Sequence, residues 1–190
     1  SKAARIGNIM RLAHLFACTF AKTIHEMSSG ILSVESEIIA EIYDPAFRLS
    51  RARLRLTQIG VPIERRALDF GDYSAYCTLP DGNTVSLAKS VVIERKVGLG
   101  ELCNCYCRER GRFKREFERA AAAGAKIYLL VEDASFETVY RGRYNSRMHP
   151  ESLMASILAW LARYDCQILF CKQETSGRLI HDILYRELKE

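Results

Sequence analysis

A short apolar run that ends in three charged residues places the strongest constraint on the fold of this chain. Residues 91–93, Val-Val-Ile, favour a buried β-strand, and Glu94, Arg95 and Lys96 follow them directly. Because side chains alternate along a strand with a period of two, Glu94 and Lys96 are expected on the same face. The segment therefore predicts an interior strand that presents a carboxylate and an ammonium group together at its carboxyl end.

Hydrophobic periodicity elsewhere predicts both kinds of secondary structure. It indicates helices over residues 8–28, 49–59, 101–123, 151–164 and 178–189, and strands over 62–69, 72–79, 84–88, 91–96, 126–131 and 166–171. Within 49–59, residues 52–56 also alternate like a strand. Residues 36–44 fit a strand or a helix equally, and 134–149 have the composition of a loop-rich insert. Strands interleaved with helices indicate an α/β layered sheet rather than a helical bundle. We expect an N-terminal helical extension over residues 1–35 and one domain over residues 36–190.

The bulk composition excludes several classes of protein. With 190 residues, 48% of them apolar and 27% charged, the chain has the composition of a globular domain with its own core. Its longest apolar-leaning stretch, residues 9–21, contains Arg11 and His14. That stretch is shorter than the roughly 20 residues of a membrane span, so we expect a cytoplasmic protein without membrane association. Seven cysteines, an odd number, do not describe a disulfide framework. The Cys-x-Cys-x-Cys run at 103–107 lacks the usual zinc spacing, which favours reduced thiols.

Arginine is concentrated in three segments of this chain, whose net charge is +5. Residues 48–66 contain six arginines and one acid, 108–119 form a second basic cluster, and 140–147 combine three arginines with two tyrosines. Guanidinium groups suit bidentate phosphate contacts, and a basic surface attracts nucleic acid. Two interpretations stay open. The arginines form a nucleic-acid surface, or they lie on solvated helix faces, paired with Glu109, Glu116 and Glu118.

A second carboxylate precedes the Glu-Arg-Lys strand by about the length of a hairpin. Asp72 follows Gly71 at the start of predicted strand 72–79, and the turn signal Pro-Asp-Gly-Asn at 80–83 leads back towards 91–96. Carboxylates are hard ligands for Mg²⁺, and an ammonium group can orient water and stabilise developing negative charge. The pattern predicts phosphodiester hydrolysis. Asp72, Glu94 and the backbone carbonyl of Arg95 are the expected metal ligands, and Lys96 is the expected catalytic cation. Taken alone, the Glu-Arg-Lys tripeptide is more often a solvated strand end.

These motifs, in their order along the chain, resemble the nuclease domain of the XPF family of structure-selective DNA endonucleases. The matching segments are residues 68–73, 93–96, 101–102, 111–113 and 128–132. The chain is similar to the stand-alone versions carried by bacteria and their prophages. The resemblance implies a restriction-endonuclease-like central mixed sheet flanked by helices, with a PD-(D/E)XK site. It also implies Mg²⁺ or Mn²⁺ as cofactor and cleavage of branched, flap or fork DNA in repair or recombination.

The resemblance also assigns residues. By position it implies Asp72, Glu94 and Lys96 as the catalytic residues, with Arg95 in the same motif and Arg112 near the DNA backbone. Further candidate phosphate contacts are Arg108, Arg115 and Arg143. The family's helix-hairpin-helix module has no counterpart in this sequence, so we expect branched DNA to be bound by the domain itself, as a homodimer.

The sequence departs from the family pattern at two places. The family carries an Asp where this chain has Gly100, and the neighbouring Glu101 either replaces it or caps a helix. The family's first strand ends in Asp-x-Arg-Glu, for which the best match is Asp44-Pro45-Ala46-Phe47, so Asp44 is a further candidate metal ligand. A missing carboxylate would weaken metal binding. The alternative prediction is therefore a catalytically weakened nuclease fold that serves as a DNA-binding or dimerisation module.

Overall fold

A mixed sheet organises the part of the chain that the structure, a computed structural model, describes: residues 32–36, 54–65, 67–79 and 81–190. Its seven strands are β1 (Leu32–Ser36), β2 (Ile63–Arg65), β3 (Tyr73–Thr78), β4 (Thr84–Ser86), β5 (Val91–Lys96), β6 (Lys126–Glu132) and β7 (Gln167–Cys171). The order is β2-β1-β3-β5-β6-β7, and β4 pairs with β3. β3 is antiparallel to β1, β4 and β5, whereas β1 and β2 are parallel and β5, β6 and β7 are parallel. This sheet confirms the predicted fold class.

Helices pack on both faces of the sheet. They are α1 (residues 54–59), α2 (Leu99–Cys107), α3 (Arg110–Ala122), α4 (Phe136–Tyr140), α5 (Pro150–Tyr164) and α6 (Gln173–Lys189). One core joins Val92 and Leu129 of the sheet to α2, α3 and α5. The other joins Ile93 and Leu130 to α1 and α6. Even-numbered residues of β5 therefore face α2 and α3, and odd-numbered residues face α1 and α6.

An aromatic cluster fixes α3 against α5. The rings of Phe113 and Trp160 stack with their centroids 5.6 Å apart, and Tyr106 meets Trp160 edge-on at 5.1 Å. Trp160 is buried in the core, as its helical spacing with neighbouring apolar residues indicates. The cluster holds Phe113 where it can reach the end of β5.

The predicted helix over 101–123 is two helices, so the prediction of one continuous helix was wrong. The carbonyl of Asn104 accepts hydrogen bonds from the backbone N–H groups of Arg108 (2.9 Å) and Glu109 (3.1 Å). The side chain of Asn104 also donates to Oε1 of Glu109 at 2.5 Å. The bond from Glu109, five residues after Asn104, departs from the helical pattern and ends α2, and α3 begins at Arg110.

Other boundaries differ less from the predicted ones. β5 has the predicted bounds, α6 begins at Gln173 rather than 178, and the predicted insert contains α4. β1 begins at Leu32, within the range predicted for the N-terminal extension. The predicted helix at 8–28, residues 37–44 and Asp44 lie outside the described residues. In the described ranges, no helix has both the length and the apolar character needed to cross a bilayer.

Candidate functional site

The chain enters β3 through a tight turn at Gly71 and Asp72. Gly71 has φ +74°, and a Cβ at this position would lie 2.7 Å from Cβ of Val92, so the turn requires glycine. The backbone N–H of Asp72 donates to the carbonyl of Ile93 at 2.8 Å. The N–H of Arg95 in turn donates to Oδ2 of Asp72 at 2.8 Å. These bonds hold Asp72 beside the last residues of β5.

Glu94 and Lys96 lie on the same face of β5, and both are buried, with exposed fractions of 4% and 5%. Nζ of Lys96 donates to Oε1 of Glu94 and lies 5.0 Å from the centre of the Phe113 ring. Oε2 of Glu94 is buried and has no hydrogen-bond partner. The structure therefore brings together Asp72, Glu94 and Lys96, the three residues predicted to converge.

Burial dominates the electrostatics of the site. Burial raises the pKa of Asp72, although the charge of Lys96 opposes this. Burial likewise raises the pKa of Glu94 well above its usual range, and the nearby Asp72 charge adds to the effect. Burial is the largest influence on Lys96 and would lower its pKa, but the charges of Glu94 and other neighbouring acidic groups together outweigh it, so the pKa of the amine is raised. A bound divalent cation would favour the ionised form of both carboxylates.

These donors fit a hard divalent cation. Asp72 and Glu94 offer carboxylate oxygens, and Oε2 of Glu94 is free of other bonds. Mg²⁺ keeps several water ligands and is commonly held by one or two carboxylates. Within the described ranges, no cluster of three or more His, Cys, Asp or Glu side chains is arranged to hold a metal ion. The ligands that this part of the chain offers are therefore the two carboxylates and the predicted carbonyl of Arg95.

The side chain of Arg95 lies on the opposite face of β5, in a buried ionic network. Its Nη1 donates to Oε2 of Glu132 at 3.2 Å, and Nε of Arg55 donates to Oε1 of Glu132, also at 3.2 Å. Arg55 further donates to the hydroxyl of Tyr73 at 3.3 Å. Arg95 thus anchors β5 with its side chain while its N–H holds Asp72. This placement favours a positioning role for Arg95 over the predicted nucleic-acid contact.

Sequence reasoning missed the network's other members. Glu132 is 1% exposed and Arg55 is 6% exposed. The available signal was a carboxylate, Glu132, at the end of the apolar strand 126–131, because an acid is rarely buried unless it is paired. The partner could not be found from sequence because Arg55 precedes Glu132 by 77 residues.

Gly100, which stands where the family carries an Asp, lies in close contact with the insert at 134–149. A Cβ at Gly100 would lie 3.3 Å from the carbonyl oxygen of Asn145, so the insert packs closely against the start of α2. Glu101 accepts a hydrogen bond from the N–H of Val97 at 2.7 Å through Oε2. This bond joins the first turn of α2 to the residue before its N-cap, Gly98, and the helix has no side-chain hydrogen bond to the N-cap itself.

The predicted phosphate contacts other than Arg95 are exposed: Arg108, Arg112, Arg115 and Arg143. Arg112 pairs with Glu109 at 2.9 Å, and Lys114 pairs with Glu118 at 3.1 Å, as expected for a solvated helix face. Surface pairs of this kind contribute little to stability and leave the arginines accessible.

Glu116 does not follow the same pattern. Its Oε1 accepts a hydrogen bond from the N–H of Gly71 at 2.9 Å, so it reaches the turn before Asp72. Arg119, one helical turn further, donates through Nε to the carbonyl of Asp69 at 2.9 Å. α3 therefore contacts the turn with two side chains. Sequence reasoning placed Glu116 among the surface partners of arginine. Its spacing of three from the buried Phe113 was the signal that could have corrected this.

Residues 43–183 match the sequence pattern of the ERCC4 domain. The chain belongs to the ERCC4 domain family. This membership confirms the resemblance to XPF-type nuclease domains that was predicted from the Gly-Asp-Tyr and Glu-Arg-Lys motifs. No curated protein sequence matches the chain significantly.

Two solved structures share the fold of this ERCC4 domain: XPF from Aeropyrum pernix, and the same protein in complex with DNA. Both give a TM-score of 0.54, at 18% and 19% sequence identity. The matches cover 82% and 84% of this chain. In turn, this chain covers 65% and 66% of the two XPF chains, which is less than two thirds of their length. At these identities the comparison shows the fold, which is the predicted restriction-endonuclease-like α/β architecture.

Proposed function

We propose that this ERCC4 domain is a divalent-metal-dependent DNA endonuclease that hydrolyses phosphodiester bonds in branched DNA, such as flaps and forks. One observation carries the proposal. Asp72, Glu94 and Lys96 meet at the end of β5, where Oε2 of Glu94 is buried without a partner. Family membership and the likeness to an XPF solved with DNA support it.

Each residue of the site has a distinct role in this proposal. Asp72, Glu94 and the carbonyl of Arg95 would hold Mg²⁺ or Mn²⁺, and Asp44 is proposed from the sequence alone as a further ligand. The bound ion would supply charge neutralisation at the scissile phosphate and a more acidic water. Lys96 would act as the catalytic cation of the site. It orients the attacking water and stabilises negative charge on the phosphate.

DNA would be held by the exposed arginines around the site. We propose Arg108, Arg112, Arg115 and Arg143 as phosphate contacts, because all four are exposed and guanidinium groups bind phosphate well. Arg95 would contribute mainly through its bond to Asp72. We further propose that the domain acts as a homodimer, in DNA repair or recombination in a bacterial or prophage setting. Light scattering of the free protein and of its DNA complex tests the dimer.

The test of activity is cleavage of a labelled flap or fork, with unbranched duplex as comparison, while Mg²⁺ or Mn²⁺ is titrated. We expect metal-dependent nicking of the branched substrate. Lys96→Ala should lower the rate at least about 100-fold, because it removes the charge that stabilises the transition state. DNA binding should persist. Lys114→Ala, which removes an exposed lysine of α3, is the control and should cut normally. Retained cleavage in Lys96→Ala would remove that residue from the mechanism.

The second candidate function is a DNA-binding or dimerisation module that no longer cuts. It is favoured by Gly100 in place of the family's Asp and by the two-carboxylate site of the described residues. This candidate predicts that the flap is bound without product at every metal concentration. A competent nuclease acting on the same substrate serves as the positive control.

A further inference from the structure

We infer that Glu116 is a positioning residue of the cation site: its carboxylate fixes the Gly71–Asp72 turn and adds a third negative charge beside Asp72 and Glu94. This inference deepens the proposed function and rests on it. Glu116 is not assigned as a metal ligand. It positions Asp72, which is the proposed ligand.

The first step is the hydrogen bond that joins α3 to the turn. Oε1 of Glu116 accepts from the N–H of Gly71 at 2.9 Å across 45 residues of sequence. The following residue, Asp72, is then fixed by its own N–H to Ile93 and by the N–H of Arg95 to its carboxylate, each at 2.8 Å. Asp72 is thus held from β5 on one side and, through Gly71, from α3 on the other.

The second step is the geometry of α3. Phe113, Glu116 and Arg119 are spaced by three residues, so they lie along one side of the helix. Phe113 lies beneath Nζ of Lys96, Glu116 binds the N–H of Gly71, and Arg119 binds the carbonyl of Asp69. One stripe of α3 therefore contacts both the catalytic lysine and the turn that presents the metal ligand.

The third step is charge. The Glu116 carboxylate binds the N–H of Gly71, the residue before Asp72, so its charge lies beside the turn that presents Asp72. A cation held by Asp72 and Glu94 would then have a third carboxylate close to it. This carboxylate would strengthen the binding of a cation, because opposite charges attract strongly where water is excluded.

Two substitutions separate the two roles. Glu116→Gln keeps an oxygen that can accept from Gly71 and removes the charge, whereas Glu116→Ala removes both. For Glu116→Gln we expect Mn²⁺ affinity, measured by calorimetry, to fall about tenfold, with cleavage close to that of the wild type once Mn²⁺ is saturating. For Glu116→Ala we expect at least the same loss of affinity and also a rate about 10- to 100-fold lower at saturating Mn²⁺. Glu118→Gln, an exposed acid on the same helix, is the matched control and should change neither quantity.

Amide hydrogen exchange measures the hydrogen bond between Glu116 and the Gly71 N–H without metal or DNA. The Gly71 amide should exchange at least about tenfold faster in Glu116→Ala than in the wild type, and nearly at the wild-type rate in Glu116→Gln. Unchanged exchange in Glu116→Ala overturns the positioning role. Unchanged Mn²⁺ affinity in Glu116→Gln, in a protein whose Asp72→Asn variant has lost binding, overturns the charge role. If the wild type itself neither binds Mn²⁺ nor cuts DNA, the proposed function and the charge role fail. The exchange experiment still tests whether Glu116 fixes the Gly71 amide.

Discussion

Two carboxylates, that of Glu94 in β5 and that of Asp72 beside it, share one ammonium group, that of Lys96. On the opposite face of the same strand the balance is reversed, because one carboxylate, Glu132, pairs with two guanidinium groups. A buried charge is costly unless it is paired. Glu132 thus has two cationic partners, whereas Asp72 and Glu94 have one between them, so we expect the burial of Asp72 and Glu94 to cost stability until a cation binds.

This imbalance leads to a prediction for Asp72→Asn. In metal-free buffer the variant should be more stable than the wild type by about 1 kcal/mol, because an amide costs less to bury than a charge. For a domain of this size that corresponds to roughly 2–4 °C in Tm. Calorimetry in EDTA measures the difference. Asp69→Asn, which changes an exposed acid in the same loop, is the control and should leave Tm unchanged.

Adding Mg²⁺ should reverse the order of the two proteins. Ligand at 100 times its Kd stabilises the protein that binds it by about 2.7 kcal/mol, and Asp72→Asn should gain none of this. The idea fails if Asp72→Asn is less stable than the wild type in EDTA, or if Mg²⁺ raises the Tm of both proteins equally.

At the scale of elements, the contact between α1 and α6 depends on a helical glycine. A Cβ at Gly177 would lie 2.3 Å from the carbonyl oxygen of Arg55 and 2.6 Å from Cβ of Gln58. Gln58 also binds α6 twice, accepting from the N–H of Gly177 at 3.1 Å and donating to the carbonyl of Glu174 at 2.6 Å. Because α1 carries Arg55, this close approach also positions the network that holds Arg95.

Gly177→Ala should therefore destabilise the fold by about 1–3 kcal/mol, since the added methyl group forces the two helices apart. Gly111→Ala is the matched control in α3, where the nearest atom, Nη1 of Arg115, is 3.4 Å away at the end of a flexible side chain. There alanine should stabilise by about 0.5 kcal/mol through its higher helix propensity. Urea unfolding of both variants provides the comparison. Equal effects of the two substitutions would contradict the close packing of α1 on α6.

The end of α6 is joined to the start of β6 by Glu187. Burial acts to raise the pKa of Glu187, but hydrogen bonds from Lys126 (2.7 Å) and Tyr128 outweigh it and hold that pKa below its usual range. A carboxylate with a depressed pKa stabilises the fold above its unfolded-state pKa, near 4.3. That stability is lost as the pH falls through the folded-state pKa.

Glu187→Gln should thus cost about 0.5 kcal/mol at pH 7, and the difference should vanish as the pH is lowered below about 4. Urea unfolding at a series of pH values measures it. Glu190→Gln changes an exposed acid at the C-cap of the same helix, and its stability curve should run parallel to that of the wild type. A deficit of Glu187→Gln that is constant across this pH range would show that the carboxylate charge is not the cause.

The elements differ in how far sequence alone could predict them. β5 was predicted with its bounds because three apolar residues and a period-two argument fix both the strand and the face of Glu94 and Lys96. The break between α2 and α3 was not, because it depends on the hydrogen bonds of Asn104, which apolar spacing does not report. Glu116, Glu132 and Arg55 were missed for a different reason, because their partners lie 37 to 77 residues away in sequence. Local patterns predict elements and faces, whereas contacts between distant segments require the assembled sheet.

For the whole molecule, the two faces of the sheet have different expected roles. α2 and α3 lie on the face of Glu94 and Lys96, whereas α6 packs on the other face, beside Arg95. Exposed basic residues occur on both, including Arg108 and Arg115 on the first and Arg178 and Arg186 on the second. If DNA is bound at the candidate site, only the first set should contact phosphates.

Salt dependence of binding separates contact from net charge. In EDTA, to prevent cleavage, the affinity for a flap should fall with salt, with a slope in log K against log [salt] that counts phosphate contacts. Substituting both Arg108 and Arg115 with Ala should reduce the slope by about 2, or about 1 for each lost contact. Substituting both Arg178 and Arg186 with Ala removes the same net charge from the opposite face, so its slope should match that of the wild type. Equal losses in the two double variants would mean that DNA responds to overall charge, and the arginines beside the site would have no specific part in holding it.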